Sequence, residues 1–194
     1  GSYDSPIGLR LDFDAATADA CPLFVGRHFR GLTNGASPAW MQTKLRAVGL
    51  RPISALVDIT NWLTMDLCRP AHIYDAAKVK GDIGARLARP GDHFDGLNGK
   101  AYEADPEMTT IFDDSGMLGL GGLLGGESTS ADEATTSGFL EIALFDPLRT
   151  AATGRKLSLV TDARQRFERG VDDTFAATGM EIATRLILEI CGGE

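Results

Sequence analysis

Four segments carry residue types that could do chemistry. In the first, Thr60-Asn61 is followed by His72-Ile73-Tyr74-Asp75, with Arg69-Pro70 between them as a turn that could swing His72 back toward Asn61. A hydroxyl, an amide and an imidazole could position a water and bind an ester. The same side chains could instead pair with backbone groups and hold the turn, the commoner fate of buried polar groups. The second segment is Gly119-Leu120-Gly121-Gly122-Leu123-Leu124-Gly125-Gly126-Glu127-Ser128. Its exposed N–H groups could hold an anion or a developing oxyanion. A glycine-rich hairpin closing two strands is the equal alternative. No Gly-Lys-Ser/Thr follows, so it is not a Walker loop, and no βαβ unit with a later acid supports a dinucleotide site.

The third segment is Phe139-Leu140-Glu141-Ile142-Ala143-Leu144-Phe145. A carboxylate inside an apolar strand is unusual, because burying an unpaired charge is costly. Strand alternation points Phe139, Glu141, Ala143 and Phe145 one way and Leu140, Ile142 and Leu144 the other. One face then carries an acid beside a small residue, bracketed by aromatics, which suits a flat ligand with a polar tip. An edge strand with Glu141 in water is the alternative. The fourth, Thr161 to Asp172, is dense in charges of both signs, and a solvated, salt-bridged helix is its favoured reading.

The elements that must position these residues are legible in outline. Leu9–Phe13 and Cys21–Arg30 read as strands. Ser37 as N-cap and Pro38 at the first helical position open a helix that ends at Gly49. A second helix, roughly Ser54–Leu67, places Leu56, Val57, Leu63 and Leu67 on one face and Asn61 on another side. Between Asp82 and Phe145 the pattern turns to period two. Strands are predicted at 83–88, 93–97, 101–104, 109–112, 118–120 and 139–145. Asn98-Gly99 is a hairpin turn with both residues expected at positive φ. Asp146-Pro147 caps a further helix, and 173–191 is amphipathic, with Phe175, Ile182, Leu186 and Ile190 at helical spacing. The fold class is α+β, a compact layered domain with a β-sandwich-like core flanked by helices.

Composition narrows the function classes. The 194 residues, 43% hydrophobic and 24% charged, suffice for one sizeable core. No apolar run approaches the roughly 20 residues of a membrane helix. Three cysteines, far apart and without a CxxC pair, fit reduced buried thiols, and with three histidines a zinc site is not expected. The net charge of −8 argues against a free-standing nucleic-acid binder. Gly1-Ser2 reads as the cleavage remnant of an expression tag. With the Cys191-Gly192-Gly193-Glu194 end, it suggests a piece cut from a longer chain; a small natural protein with a tagged start is the alternative. Residues 1–15 are then remnant and lead-in strand, and 16–194 the functional unit.

Taken in order, these segments resemble the editing domain of the bacterial-type phenylalanyl-tRNA synthetase beta subunit. The marks are Cys21-Pro22 with Gly26-Arg27, Val57-Asp58-Ile59-Thr60-Asn61, and Pro70, His72 and Tyr74-Asp75. They continue with Gly121-Gly122, Gly125-Gly126-Glu127, Leu140-Glu141, Thr161-Asp162-Ala163, Arg166 to Asp172, and Cys191-Gly192-Gly193. The resemblance implies aminoacyl-tRNA ester hydrolysis, namely removal of tyrosine from mischarged Tyr-tRNA(Phe), within a cytoplasmic phenylalanine–tRNA ligase. It implies an editing pocket of Thr60, Asn61, His72, Gly121, Gly122, Glu141 and Ala143. Glu141 would accept the tyrosine phenol and Ala143 would keep the pocket open. His72, Asn61 and Thr60 would lie toward the ester and the terminal adenosine as the catalytic group, with water attacking directly. Implied partners are the tRNA(Phe) 3′ end, tyrosine, the rest of the beta subunit and the alpha subunit. No cofactor is implied for this domain; ATP and Mg²⁺ would belong to the parent synthetase. The sequence departs from the family at Ile73 and Tyr74, where Ala and Phe are frequent, at Arg164, where Ser is common, and at Leu144, in place of an aromatic or His. A non-catalytic module that positions tRNA in the same synthetase is the alternative function, and a stand-alone hydrolase of aminoacyl esters a third.

Overall fold

A computed structural model describes residues 3–194, so Gly1-Ser2, read from the sequence as a tag remnant, lies outside the described residues. The lead-in forms β1 (Leu9–Asp12), and after a 3-10 turn at Ala18–Ala20 the chain enters β2 (Leu23–Arg30). Helix α1 (Ala39–Ala47) begins one residue later than the Ser37-Pro38 signal predicts, with Pro38 as N-cap and no side-chain cap. Ser37 is drawn away by buried Asp58, to whose Oδ2 its hydroxyl donates at 2.5 Å. Gly49, at φ +84°, ends the helix as expected. In α2 (Ala55–Asp66) the deep positions are Leu56, Ile59 and Leu63. Val57 and Leu67 are only half-buried, so the apolar face is rotated from the expected one. A strand follows that the sequence did not announce, β3 (His72–Asp75).

The period-two stretch yields β4 (Ile83–Leu87), β5 (His93–Asp95), β6 (Ala101–Glu103), β7 (Thr109–Asp113) and β8 (Gly116–Leu120). The short β9 (Leu124–Gly125) and the long β10 (Ser137–Leu144) complete the strands. Helix α3 (Pro147–Lys156) is capped as expected: the Asp146 carboxylate accepts from the Arg149 N–H at 2.6 Å. After α4 (Asp162–Phe167), α5 (Ala176–Cys191) buries Ala176, Met180, Ala183, Ile187 and Cys191. The predicted stripe of Ile182, Leu186 and Ile190 is the half-buried flank of that face, one residue away. The turn between β5 and β6 differs from prediction. Gly99 takes positive φ (+75°) and Asn98 does not. The Gly99 N–H donates to the Gly96 carbonyl, and the Gly96 N–H to the Lys100 carbonyl, both at 2.8 Å. The loop is thus three residues long, with the glycine supplying the bulge that restores strand twist.

Two packed sheets and a helical layer result, with β5 and β6 forming a separate two-stranded antiparallel sheet. One sheet has the order β1-β4-β7-β8-β9, antiparallel except for the parallel β1–β4 pair; the other is β2-β10-β3, antiparallel throughout. The middle strand β10 pairs with β2 over eight positions, from Ser137↔Arg30 to Leu144↔Leu23. Its faces divide as alternation predicts. Leu140 and Ile142 pack with Ile59, Leu63, Met180 and Ile187 of the helices. Phe139, Ala143 and Phe145 pack with Ile83, Ala85, Ile111 and Leu118 of the five-stranded sheet. Each such large side chain contributes about 1.5–3 kcal/mol by leaving water. The α+β class with a sandwich-like core is what the chain adopts. Cys21 and Cys191 are buried thiols as expected, but Cys68 is exposed. Among the described residues, no helix is long and apolar enough to cross a membrane.

Candidate functional site

The site grows from the register of β10. Glu141 faces Gly26 of β2 on one side and His72 of β3 on the other. Because β10 is the middle strand, the edge-strand reading of Glu141 fails, and the residue is 6% exposed. Two residues beyond His72, Tyr74 returns to the same face of β3. Its hydroxyl donates to Glu141 Oε2 at 2.5 Å. The His72 and Tyr74 rings meet edge to face, with centroids 4.4 Å apart.

Above these groups lies a cavity of about 110 Å³ at the seam between the two sheets. His72, Tyr74 and Glu141 line it on one side and the β8–β9 turn, with Gly121, Gly122 and Gly125, on another. Phe145 and Phe167 close it, their rings edge to face at 5.2 Å. The glycines are there for space: a Cβ on Gly125 would run into the His72 imidazole, and one on Gly121 or Gly122 into the Phe145 ring. Gly122 also needs positive φ, +73°. The segment forms the hairpin, with Leu120 paired to Leu124. The Gly121 N–H is taken by the Thr109 carbonyl at 2.9 Å, so it is not on offer to an oxyanion.

Burial sets the electrostatics. It raises the Glu141 carboxyl to about 7, against the downward pull of the Tyr74 hydroxyl and of Arg69. It lowers His72 to about 4, so the imidazole is neutral at pH 7. His72 is half-buried as a residue, but its Nε2 is fully enclosed and has no hydrogen-bond partner among the described residues. The Tyr74 phenol is pushed well above its ordinary value by burial and by Glu141. Arg69, 1% exposed, lies over the Phe167 ring and donates through Nη2 to the Ala143 carbonyl. Burial brings it down to about 10, where it is still protonated at neutral pH, and Glu141 is the nearest cause holding it up.

Of the residues expected from the sequence, His72, Glu141, Gly121 and Gly122 come together around the cavity. Ala143 points to the same face as Glu141 but is packed into the core and does not line the cavity. Thr60 and Asn61 lie on α2, outside the cavity wall, and the Thr60 hydroxyl donates to the Val57 carbonyl at 2.8 Å. The charged segment forms α4, with i,i+4 pairs Asp162–Arg166 and Arg164–Glu168. It is less solvated than expected, since Ala163 and Phe167 turn inward to the cavity. Tyr74 and Gly125 lay inside the candidate segments without a role of their own, and Arg69 was read only as part of a turn. Only Tyr74 left a signal, its i+2 spacing from His72.

Buried acid, neutral imidazole and aromatic walls are the groups that a flat ring with one hydrogen-bond donor at its tip would call for. Comparison with known proteins agrees with this architecture. The phenylalanine–tRNA ligase beta subunit of Paramagnetospirillum magneticum is 60% identical over 194 residues, covering 100% of this chain and 24% of that protein. That of Rhodospirillum rubrum is 52% identical over 195 residues, with the same coverage. The chain spans about a quarter of the length of these relatives. The fold is shared with an N-terminal fragment of the phenylalanyl-tRNA synthetase beta subunit from Pyrococcus horikoshii, at TM-score 0.52 and 14% identity over 79% of this chain and 49% of that one. Residues 20–192 match the family described as the B3/4 domain, and the chain belongs to that family.

Proposed function

We propose that this chain is the editing module of a phenylalanyl-tRNA synthetase beta subunit and hydrolyses Tyr-tRNA(Phe). The observation that carries the reading is a buried carboxylate, Glu141, lining an aromatic-walled cavity beside a neutral histidine. A pocket built for phenylalanine rejects the isostere with one added hydroxyl by only about 100-fold, so a second site must select for that hydroxyl. Glu141 does so, because a phenyl ring would leave its carboxylate desolvated and unanswered. The substrate is an activated ester, so a held water is enough to attack it. Neutral His72 orients that water or takes its proton as a weak base once the wall opens onto its enclosed Nε2, unpaired among the described residues. Thr60 and Asn61 serve the ester and adenosine end, and Ala143 keeps the space beside Glu141 small-sided. The cavity is smaller than the ~150 Å³ that holds benzene, so the wall gives way as the phenol enters, at the glycine turn 121–122. In this reading the tRNA is held by the remaining beta subunit and the alpha subunit in the cytoplasm. ATP and Mg²⁺ act at the parent's synthetic site.

The second reading is a non-catalytic, tRNA-positioning module, favoured by the small cavity. The parent enzyme carrying Glu141→Ala separates the two. Editing predicts that its preference for deacylating Tyr-tRNA(Phe) over Phe-tRNA(Phe) collapses by tenfold or more. An undiminished preference would overturn the assignment of Glu141.

A further inference from the structure

We infer that Tyr74 is a specificity-determining positioning residue of the Glu141 cavity: its phenol holds one carboxylate oxygen in place and leaves the other for a single ligand hydroxyl. The inference rests on the editing reading and deepens it.

An ionised carboxylate is acceptor-only, with two oxygens able to take several donors. At the end of a glutamate side chain it can also rotate, so an unbraced carboxylate presents a blurred target. Here Oε2 is taken by the Tyr74 hydroxyl, and no other described residue donates to the carboxylate. The brace is itself immobile. Tyr74 is 3% exposed, and its ring is held by His72 at 4.4 Å. Its main chain is paired with Phe139 on one side and bridged to Ser130 on the other. A swing of the ring out of the core is therefore opposed on several sides. The charged and titratable groups around Glu141 are Tyr74 and His72 from β3, Arg69 from the turn before it, and Cys21 from the lead into β2. Among the described residues, only Tyr74 hydrogen-bonds to the carboxylate. Arg69 directs its Nη2 to the Ala143 carbonyl instead. With Oε2 satisfied, Oε1 is the oxygen left to a ligand in the cavity that Glu141 lines. A ring with one hydroxyl completes the set; a ring with none leaves Oε1 dry and unanswered.

The test uses the complete synthetase that contains this chain, with kcat/KM for deacylating Tyr-tRNA(Phe) and Phe-tRNA(Phe) measured across pH 5.5–8.5 (a span of roughly a unit or more either side of the Glu141 value). Taking the ratio cancels the hydroxide sensitivity of the ester itself. Tyr74→Phe removes the hydroxyl alone. Its Tyr/Phe ratio is expected to fall about tenfold, through KM. The pH at which selectivity sets in should move upward, since the bond it loses favours the ionised acid. Combined with Glu141→Gln, it should cause no further loss. An unchanged ratio and pH profile, a rise in selectivity, or losses that add independently would each overturn the inference. If the wild-type enzyme shows no preference for Tyr-tRNA(Phe), the editing reading fails first and separately. Should Tyr74→Phe fail to fold, fluorotyrosine placed at 74 keeps the shape and strengthens the donor. The onset of selectivity should then move downward, and an unmoved onset would overturn the inference equally.

Discussion

Glu141 and His72 face each other across one rung of a sheet, and burial pushes their proton affinities in opposite directions. Glu141 rises from its ordinary 4.5 to about 7. Its contribution to stability is whole below pH 4.5 and is lost as pH rises through 7. His72 falls from 6.5 to about 4, so its contribution is whole above pH 6.5 and is lost as pH falls through 4. Each amounts to about 3 kcal/mol at the limit, and across pH 4–7 they cancel. Removing one partner should reveal the other. Thermal melts of Glu141→Gln should show stability rising from pH 4 to 6.5, and those of His72→Asn should show it falling from pH 4.5 to 7. Parallel profiles in both variants would contradict the paired titration. At this scale the acid was visible in the sequence, because a lone carboxylate in an apolar alternation stands out. The bond that Tyr74 makes to it was not, because that bond depends on which rung of β3 meets which rung of β10. Arg69 carried no local signal: a charge before a proline reads as a surface turn.

Elements were legible where one periodicity dominates and illegible where two interactions compete for the same residue. The period-two strands β4 to β8 and β10 are all present within a few residues of expectation. Ser37 was expected to cap α1, but a buried carboxylate on the next helix offers it a stronger bond. In α5 two apolar stripes lie side by side, and helical spacing alone does not say which faces inward. Four-residue β3 follows a turn and exists because β10 gives it a partner, a tertiary fact. The glycine turn shows how an element serves the site. Gly125→Ala places a methyl inside the space of the His72 ring. It should cost about 1–3 kcal/mol in chemical denaturation and displace the imidazole; if the proposed editing reaction runs here, hydrolysis should fall more than tRNA binding. Unchanged stability would mean that the hairpin yields more readily than its pairing suggests.

Helices α1, α2 and α5, the three-stranded sheet and the five-stranded sheet stack in three decks, with the β5–β6 hairpin over a smaller core and the cavity at the seam of the two larger sheets. Class and layers followed from the pattern of elements, whereas the facing of one sheet on the other, which makes the cavity, is encoded only in long-range packing. The charge of −8 belongs to this scale as well. The chain by itself should bind tRNA weakly at physiological salt, with a shallow salt dependence in filter-binding titrations. Tight binding with a steep salt slope would place the tRNA-holding surface here and not elsewhere in the parent. The eight rungs joining β10 to β2 have a consequence for how errors are excluded. A slip of one rung would exchange the two faces of β10. Glu141 would be driven among the aliphatic side chains of α2 and α5, and Leu140 would be delivered to the cavity in its place. Misalignment therefore does not blunt the receptor by degrees: it removes the acid altogether and breaks both cores together. The aim of the chemistry is stored as a count of rungs, and any chain that miscounts is sorted out by its own instability before it can meet a substrate.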